Sequence, residues 1–528
     1  MLRRRLAPLI VLSMVLLITA CRARPASIPT PQPTPTPQPA ATIASATVDA
    51  PRPDSADTLP ASSLFTWAWE DRTPFEHGVV MGAQVALAQQ PAASVYHLEL
   101  HLADSLTALT GHEEVHYTNA ETEPLDDLAL RLFPNLLGGS MTVHSVQVNG
   151  QAAASRLAQQ DSVLFVPMSP PLRPGQSVVL ALDFAVTIPT DAASSNYGIF
   201  AYTNDILALA HAYPMVAVYD EEGWNIEIAP QEGDIVYADA SYYLVRIHAP
   251  AQLVIVSAGT RLDEVQTATG QTITVAAGPA RDFYLAASAA YAEAVSVQAG
   301  ETLVRSYALP GEQASAQEVA DIAAQALAFF NEQFGPYPYR ELDFAATPTL
   351  ALGVEYPGMI VMNEVIDAER SPQILESTVV HEVAHQWFYN LVGNDQVDEP
   401  WLDESLSQYA TLLYYRQVYG KAGETGFRRS LERAWGEFDN EPIPIGASVA
   451  AYADGGEYAG TYVAIIYGRG ALFFEALSEA MGEATFTAFL REYVQRKAWG
   501  ISSTADFRAL AEQQCDCDLG PLFTEWVY

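Results

Sequence analysis

Between residues 65 and 290, apolar and polar positions alternate in short runs. Examples are Ser145-Val146-Gln147-Val148-Asn149-Gly150 and the stretches 178–188 and 242–248, with proline and glycine between them. A period of two marks half-buried strands, so this region predicts an all-β domain of sandwich or saddle type. Near residue 311 the period changes. Val319, Ile322, Ala323, Ala326, Leu327 and Phe330 recur at helical spacing over residues 317–334, and Gly335-Pro336 ends the run. A strand-like stretch at 342–347 follows. A second helical run opens at Ser371-Pro372, an N-cap and first-turn proline, and Gly393 is the expected stop. A third spans 401–419, and further helices continue to Tyr528. The pattern divides the chain into an N-terminal all-β domain, 65–300, and a mixed α+β domain, 301–528.

The second helical run carries His381-Glu382-Val383-Ala384-His385, and Glu404 follows after eighteen residues. On a helix of about 3.6 residues per turn, positions four apart lie one above the other. Both imidazoles can then reach one tetrahedral ion at about 2.0–2.1 Å. Glu382 lies about 100° round the helix from His381. There it is free to take a proton from water instead of ligating. With Glu404 the set is two histidines and one carboxylate, which leaves a zinc position open as a catalytic site requires. The expectation is one Zn2+ per chain held by His381, His385 and Glu404, with Glu382 as general base. Short strands followed by helices carrying this motif predict a thermolysin-like zincin domain.

His112-Glu113-Glu114-Val115-His116 spells the same pattern in a different setting. Alternation around it, and Gly111 read as a turn glycine, predict strands. Histidines four apart on a strand sit roughly 13 Å apart, too far to grip one ion. Position 135, where a matching glutamate would fall, is Asn135.

Composition adds a location. Arg3-Arg4-Arg5 precede an apolar run, 6–20, that is shorter than the about 20 residues of a membrane span and reads as a secretory signal over 1–20. Ile18-Thr19-Ala20-Cys21 resembles the lipobox of bacterial lipoproteins, which implies a lipid anchor on Cys21. Residues 21–64, with prolines at 25, 29, 31, 33, 35, 37 and 39, form the expected tether. An extracytoplasmic, membrane-anchored protein follows, at the cell surface or in the periplasm. Removing residues 1–20, which hold three arginines and no acid, takes the formal charge from −37 to −40. Such an excess repels nucleic acid and anionic lipid surfaces, so neither is an expected partner. Cys515 and Cys517 could close a small ring or remain thiols.

Together these residues resemble the zinc aminopeptidases of the aminopeptidase N and leukotriene-hydrolase type. The likeness runs over roughly residues 85–528, with specific motifs only after about 330. His381, Glu382, His385 and Glu404 meet that family's H-E-x-x-H-x18-E pattern, and Gln386-Trp387-Phe388, Asn390 and Trp401-Leu402-Asp403 also look like it. The family's amine-recognition pattern falls on Leu352-Gly353-Val354-Glu355-Tyr356, where the glutamate is the strict match. The resemblance implies that Gly353 and Glu355 bind substrate, with Glu355 facing its α-ammonium. The Y-x-K-G motif falls on Tyr467-Gly468-Arg469-Gly470. It implies Tyr467 as oxyanion donor, with Tyr462 or Tyr458 as substitutes. Asp403 and Asn390 are candidates to orient the histidines, and Asp205 is a loose match to a second substrate-binding residue. The large helical C-terminal domain usual in the family is expected to be missing. An aminopeptidase acting on short peptides is the leading expectation. A thermolysin-type endopeptidase and a non-catalytic peptide-binding lipoprotein are the alternatives.

Overall fold

The computed structural model describes residues 59–528, apart from 231, 232, 367, 437 and 439–442. The signal, Cys21 and most of the tether lie outside the described residues. Among the described residues no helix is long and apolar enough to cross a membrane.

The N-terminal domain is β-rich, but its strands begin at Val95. Residues 65–94 form short helical turns instead, Thr73–Glu76 with Pro74 in its first turn, Met81–Ala83 and Gln84–Gln89. The central sheet has eight strands, in the order 260–266, 270–280, 241–250, 95–102, 108–118, 177–187, 140–148 and 151–152. Of its pairings, 95–102 with 241–250 is parallel and the others are antiparallel. Two four-stranded sheets and a short two-stranded ribbon, 219–220 with 223–224, complete the domain. Leu180, Leu182, Phe184 and Val186 alternate into a core shared with Leu98, Leu130, Leu207 and Val245. That core continues into Val354, Tyr356, Met359 and Val361 of the second half, so the two halves are packed as one body. Gly111 lies inside strand Ala108–Thr118 and marks no turn. Its missing Cβ makes room for the Phe184 ring, whose Cζ would lie 2.2 Å from an added methyl.

The second half is built on a five-stranded sheet, ordered 295–299, 302–307, 341–347, 359–363 and 353–354. Its first strand, Val295–Ala299, lies before residue 301. Helix Gln313–Phe334 buries Val319, Ala320, Ala323, Ala326, Leu327, Phe330 and Phe334, the expected helical stripe. It ends at Gly335, whose φ of +116° suits a residue without a Cβ.

The helix carrying His381 spans Pro372–Ala384, with Ser371 and Pro372 at its start. It stops well before Gly393, because His385 is already its C-cap and Tyr389 takes a φ of +119°. The turn is held from the β domain. Buried Arg281 donates from Nε to the Tyr389 and Asn390 carbonyls, at 2.6 and 3.1 Å, and from Nη2 to Gly500 at 2.6 Å. Gly393 accommodates this guanidinium, since a methyl there would sit 2.2 Å from Arg281 Cζ. The third helix begins at Glu404, after a 3-10 turn at Pro400–Leu402, and runs to Trp435 with a break at Gly420. Cys515 and Cys517 are joined as a disulfide.

Candidate metallopeptidase site

The last turn of the histidine helix and the first residue of the glutamate helix bring three side chains together. His381 Nε2 lies 3.0 Å from His385 Nε2 and 3.1 Å from Glu404 Oε2, and His385 Nε2 lies 3.4 Å from that oxygen. Ligand atoms around a tetrahedral zinc with bonds of about 2.0–2.1 Å stand about 3.3 Å apart. Two imidazole nitrogens and a carboxylate oxygen at those separations fit the ion. His385 is oriented for it. Its Nδ1 lies 2.5 Å from Asp403 Oδ1 and 3.1 Å from Ser407 Oγ, and Gln396 donates to the other oxygen of Asp403 at 2.5 Å. A proton on Nδ1 leaves the Nε2 lone pair facing the site. Asn390 does not reach the histidine rings. Its side chain is paired with the Tyr339 hydroxyl at 3.1 Å, so it braces the turn after the helix.

Glu382 is buried, and its Oε2 has no hydrogen-bond partner among the described residues. Burial, with the nearby carboxylates of Glu404 and Asp403, pushes it up to about 8. Gly353 lies on edge strand Gly353–Val354 directly over it, and an added Cβ would come within 2.5 Å of Glu382 Oε1. The glycine is therefore the space that the glutamate occupies. Tyr467 lies on a π-helical turn, Val463–Arg469, donates its hydroxyl to Glu404 Oε1 and sits 5.7 Å from the His381 ring. The Tyr462 ring is 6.0 Å from it, with a buried hydroxyl unpaired among the described residues, while Tyr458 packs on Tyr452. Arg469 faces away from the site. It donates to the Ile443, Trp526 and Glu525 carbonyls and so fastens the C-terminal helix.

Glu355 is buried, with a carboxylate oxygen within 4.8 Å of ligand atoms of Glu382 and His385. A second acid, which the sequence reading missed, joins it. Asp234 lies in the same cluster, its carboxylate within 4.8 Å of those of Glu355 and Asp403. It comes from an irregular stretch of the β domain, where Gly233 at φ +72° donates to Tyr197 Oη at 3.0 Å and lies under the Tyr462 hydroxyl. Burial raises both Asp234 and Glu355; repulsion from Glu404 and Asp403 adds to it at Asp234, and repulsion from Asp234 adds to it at Glu355. A cation entering between them reverses that penalty. Asp205, in contrast, is exposed in the turn of hairpin 200–209, pairs with Tyr202 at 3.3 Å and is not a member of the cluster. The only signal for Asp234 in the sequence was an acid after a glycine, too common to single out.

A mixed domain with two histidines from one helix and a glutamate from the next is the arrangement of a zinc-peptidase site. Residues 318–526 match the model of the peptidase family M1 domain. "Aminopeptidase 2" of Candida albicans is 32% identical over 225 residues, 40% of this chain and 24% of that protein. "Aminopeptidase M1-B" of Oryza sativa subsp. japonica is 25% identical over 305 residues, 54% of this chain and 34% of that protein. The chain thus spans about a quarter to a third of the length of these curated relatives. The M1 zinc metallopeptidase of Deinococcus radiodurans has the same fold, with a TM-score of 0.60, 22% identity, and 83% of this chain and 94% of that one covered. A variant of that enzyme bound to a Tyr-Ser-Ala substrate superposes with a TM-score of 0.61 and 22% identity, covering the same shares of the two chains.

Proposed function

We propose that the protein is a zinc-dependent aminopeptidase that removes N-terminal residues from short peptides, with His381, His385 and Glu404 holding one ion. The observation that carries this reading is the pairing of the donor triangle with the acid pocket of Glu355 and Asp234 beside it. When bound, zinc supplies a Lewis acid that polarises the scissile carbonyl and lowers the pKa of water to about 7. Glu382 takes the proton of the attacking water and passes it to the leaving amine. Gly353 keeps the space above that carboxylate clear. Tyr467 donates its phenol to the oxyanion that develops on the carbonyl. Asp403 fixes the His385 tautomer, and Glu355 and Asp234 receive the substrate α-ammonium. A location outside the cytoplasm, on a lipid anchor at Cys21, is part of the same proposal and rests on residues 1–21 of the sequence.

The test compares free and N-acetylated forms of the same peptides. A carboxylate facing a desolvated ammonium contributes about 1.5–3 kcal/mol, so Glu355→Ala is expected to lower kcat/KM for free peptides by roughly one to two decades. Acetylated peptides are expected to be poor substrates of both proteins. Equal cleavage of free and acetylated peptides by the wild type would make the protein an endopeptidase on the same helices.

A further inference from the structure

The outer face of the eight-stranded sheet carries a second group of imidazoles and carboxylate that the peptidase site does not use. Glu99 and His101 lie two apart on strand Val95–Leu102, and the parallel neighbour Ser241–Pro250 places His248 directly opposite His101. The two rings stack with centroids 4.2 Å apart and planes 5° from parallel. His248 Nε2 lies 3.2 Å from Glu99 Oε1, and His101 Nε2 lies 3.8 Å from Glu99 Oε2. Ligand atoms of all three residues fall within 4.8 Å of one another.

The supporting contacts hold these atoms toward one another. His248 Nε2–H donates to Glu99 Oε1, which leaves Nδ1 to accept from Thr272 Oγ1 at 3.0 Å, so an ion at Nε2 would take the place of that one proton on the same carboxylate. Arg246 donates to Glu99 Oε1 at 3.1 Å and leaves Oε2 free of that bond. Side-chain exposures of 52% for His101, 32% for His248 and 25% for Glu99 give an ion a path from solvent. Other histidines of this face are already engaged. His97 bonds Ser62 and stacks on Trp69, His112 bonds Asp183, and His116 stacks on Trp69.

We propose that Glu99, His101 and His248 form a second metal site, separate from the peptidase centre, for a divalent first-row transition ion. Two imidazoles with one carboxylate suit zinc, nickel and copper(II) in preference to calcium or magnesium. Neighbouring strands about 4.8 Å apart bring opposite imidazoles within reach of one ion once the rings tilt out of their stack. The Arg246 charge beside the carboxylate makes this the weaker of the two sites.

The test uses the full chain already loaded with one equivalent of zinc, titrated calorimetrically with nickel. One further equivalent is expected in the wild type, and His101→Ala and His248→Ala are each expected to lose it while retaining the first zinc and full peptide hydrolysis. Copper(II) added in place of nickel is expected to show hyperfine coupling to two imidazole nitrogens, absent in both variants. Should His248→Ala fail to fold, the half-exposed His101→Ala still decides the matter. No second equivalent at millimolar nickel, or a second equivalent that survives in the doubly substituted protein, would overturn the proposal.

Discussion

Residues 112–116 and 381–385 both read His-Glu-x-x-His, and the backbone under them makes them different objects. On the helix, the two imidazole nitrogens meet at 3.0 Å with Glu404 beside them. On strand Ala108–Thr118, the two histidines share a face but have separate partners. His112 pairs with Asp183 at 2.7 Å, and His116 lies against Trp69. The glutamates diverge as well. Glu382 stands over the site in the room that Gly353 leaves, whereas Glu113 points into the β core with neither oxygen paired among the described residues. A motif of five residues therefore carries chemistry only through the period of the element beneath it.

The largest expected difference between the copies is catalytic. Glu382→Gln should keep its zinc and lose about 10²–10⁴-fold in kcat, the usual contribution of a general base. Glu113→Gln, which replaces a carboxyl that burial holds well above its usual value, should leave kcat unchanged. Steady-state rates with metal analysis of both variants check this pair. A Glu382→Gln protein that keeps most of its activity would remove the distinction.

Next in size is the oxyanion donor. Tyr467→Phe should lower kcat by roughly 10²–10³-fold with little change in KM, because the oxyanion exists only in the transition state. If Tyr462→Phe shows that loss instead, the donor is the neighbouring phenol.

The smallest effect belongs to the strand copy and concerns stability. His112 is raised to about 9 by the Glu114 carboxylate, 3.9 Å from its Nε2, and by its hydrogen bond to Asp183, while burial lowers it. A group raised in the folded state stabilises fully below its unfolded value of about 6.5, and that contribution fades as pH climbs. It is gone above the folded value of about 9. Urea midpoints should therefore fall across that window in the wild type and fall less in His112→Gln. Parallel slopes would show that the imidazole is not bound as described.

Local pattern made much of this molecule legible. The strands of the β domain, helix Gln313–Phe334 and the histidine helix follow from periodicity and end signals, and spacing alone brings His381, His385 and Glu404 together. Contacts between distant segments did not leave such a trace. Gly393 looked like a helix stop, but the chain turns earlier because Arg281, from the β domain, holds the carbonyls at Tyr389 and Asn390. Gly111 looked like a turn and is space for Phe184. Asp234 reaches the acid pocket from an irregular stretch with no period to betray it, and Asp205 sits in a solvent-facing turn instead. Asn390 has the composition of a histidine partner, yet Tyr339 takes its amide.

The metal content of two variants tests the central claim most directly. Purified wild-type protein with its peptidase centre loaded should retain one zinc after exhaustive desalting, and His116→Ala should retain the same. His385→Ala should retain none, since it removes one corner of a triangle whose edges are 3.0–3.4 Å. Full zinc occupancy in His385→Ala, or its loss in His116→Ala, would contradict the assignment of the ion to the helix.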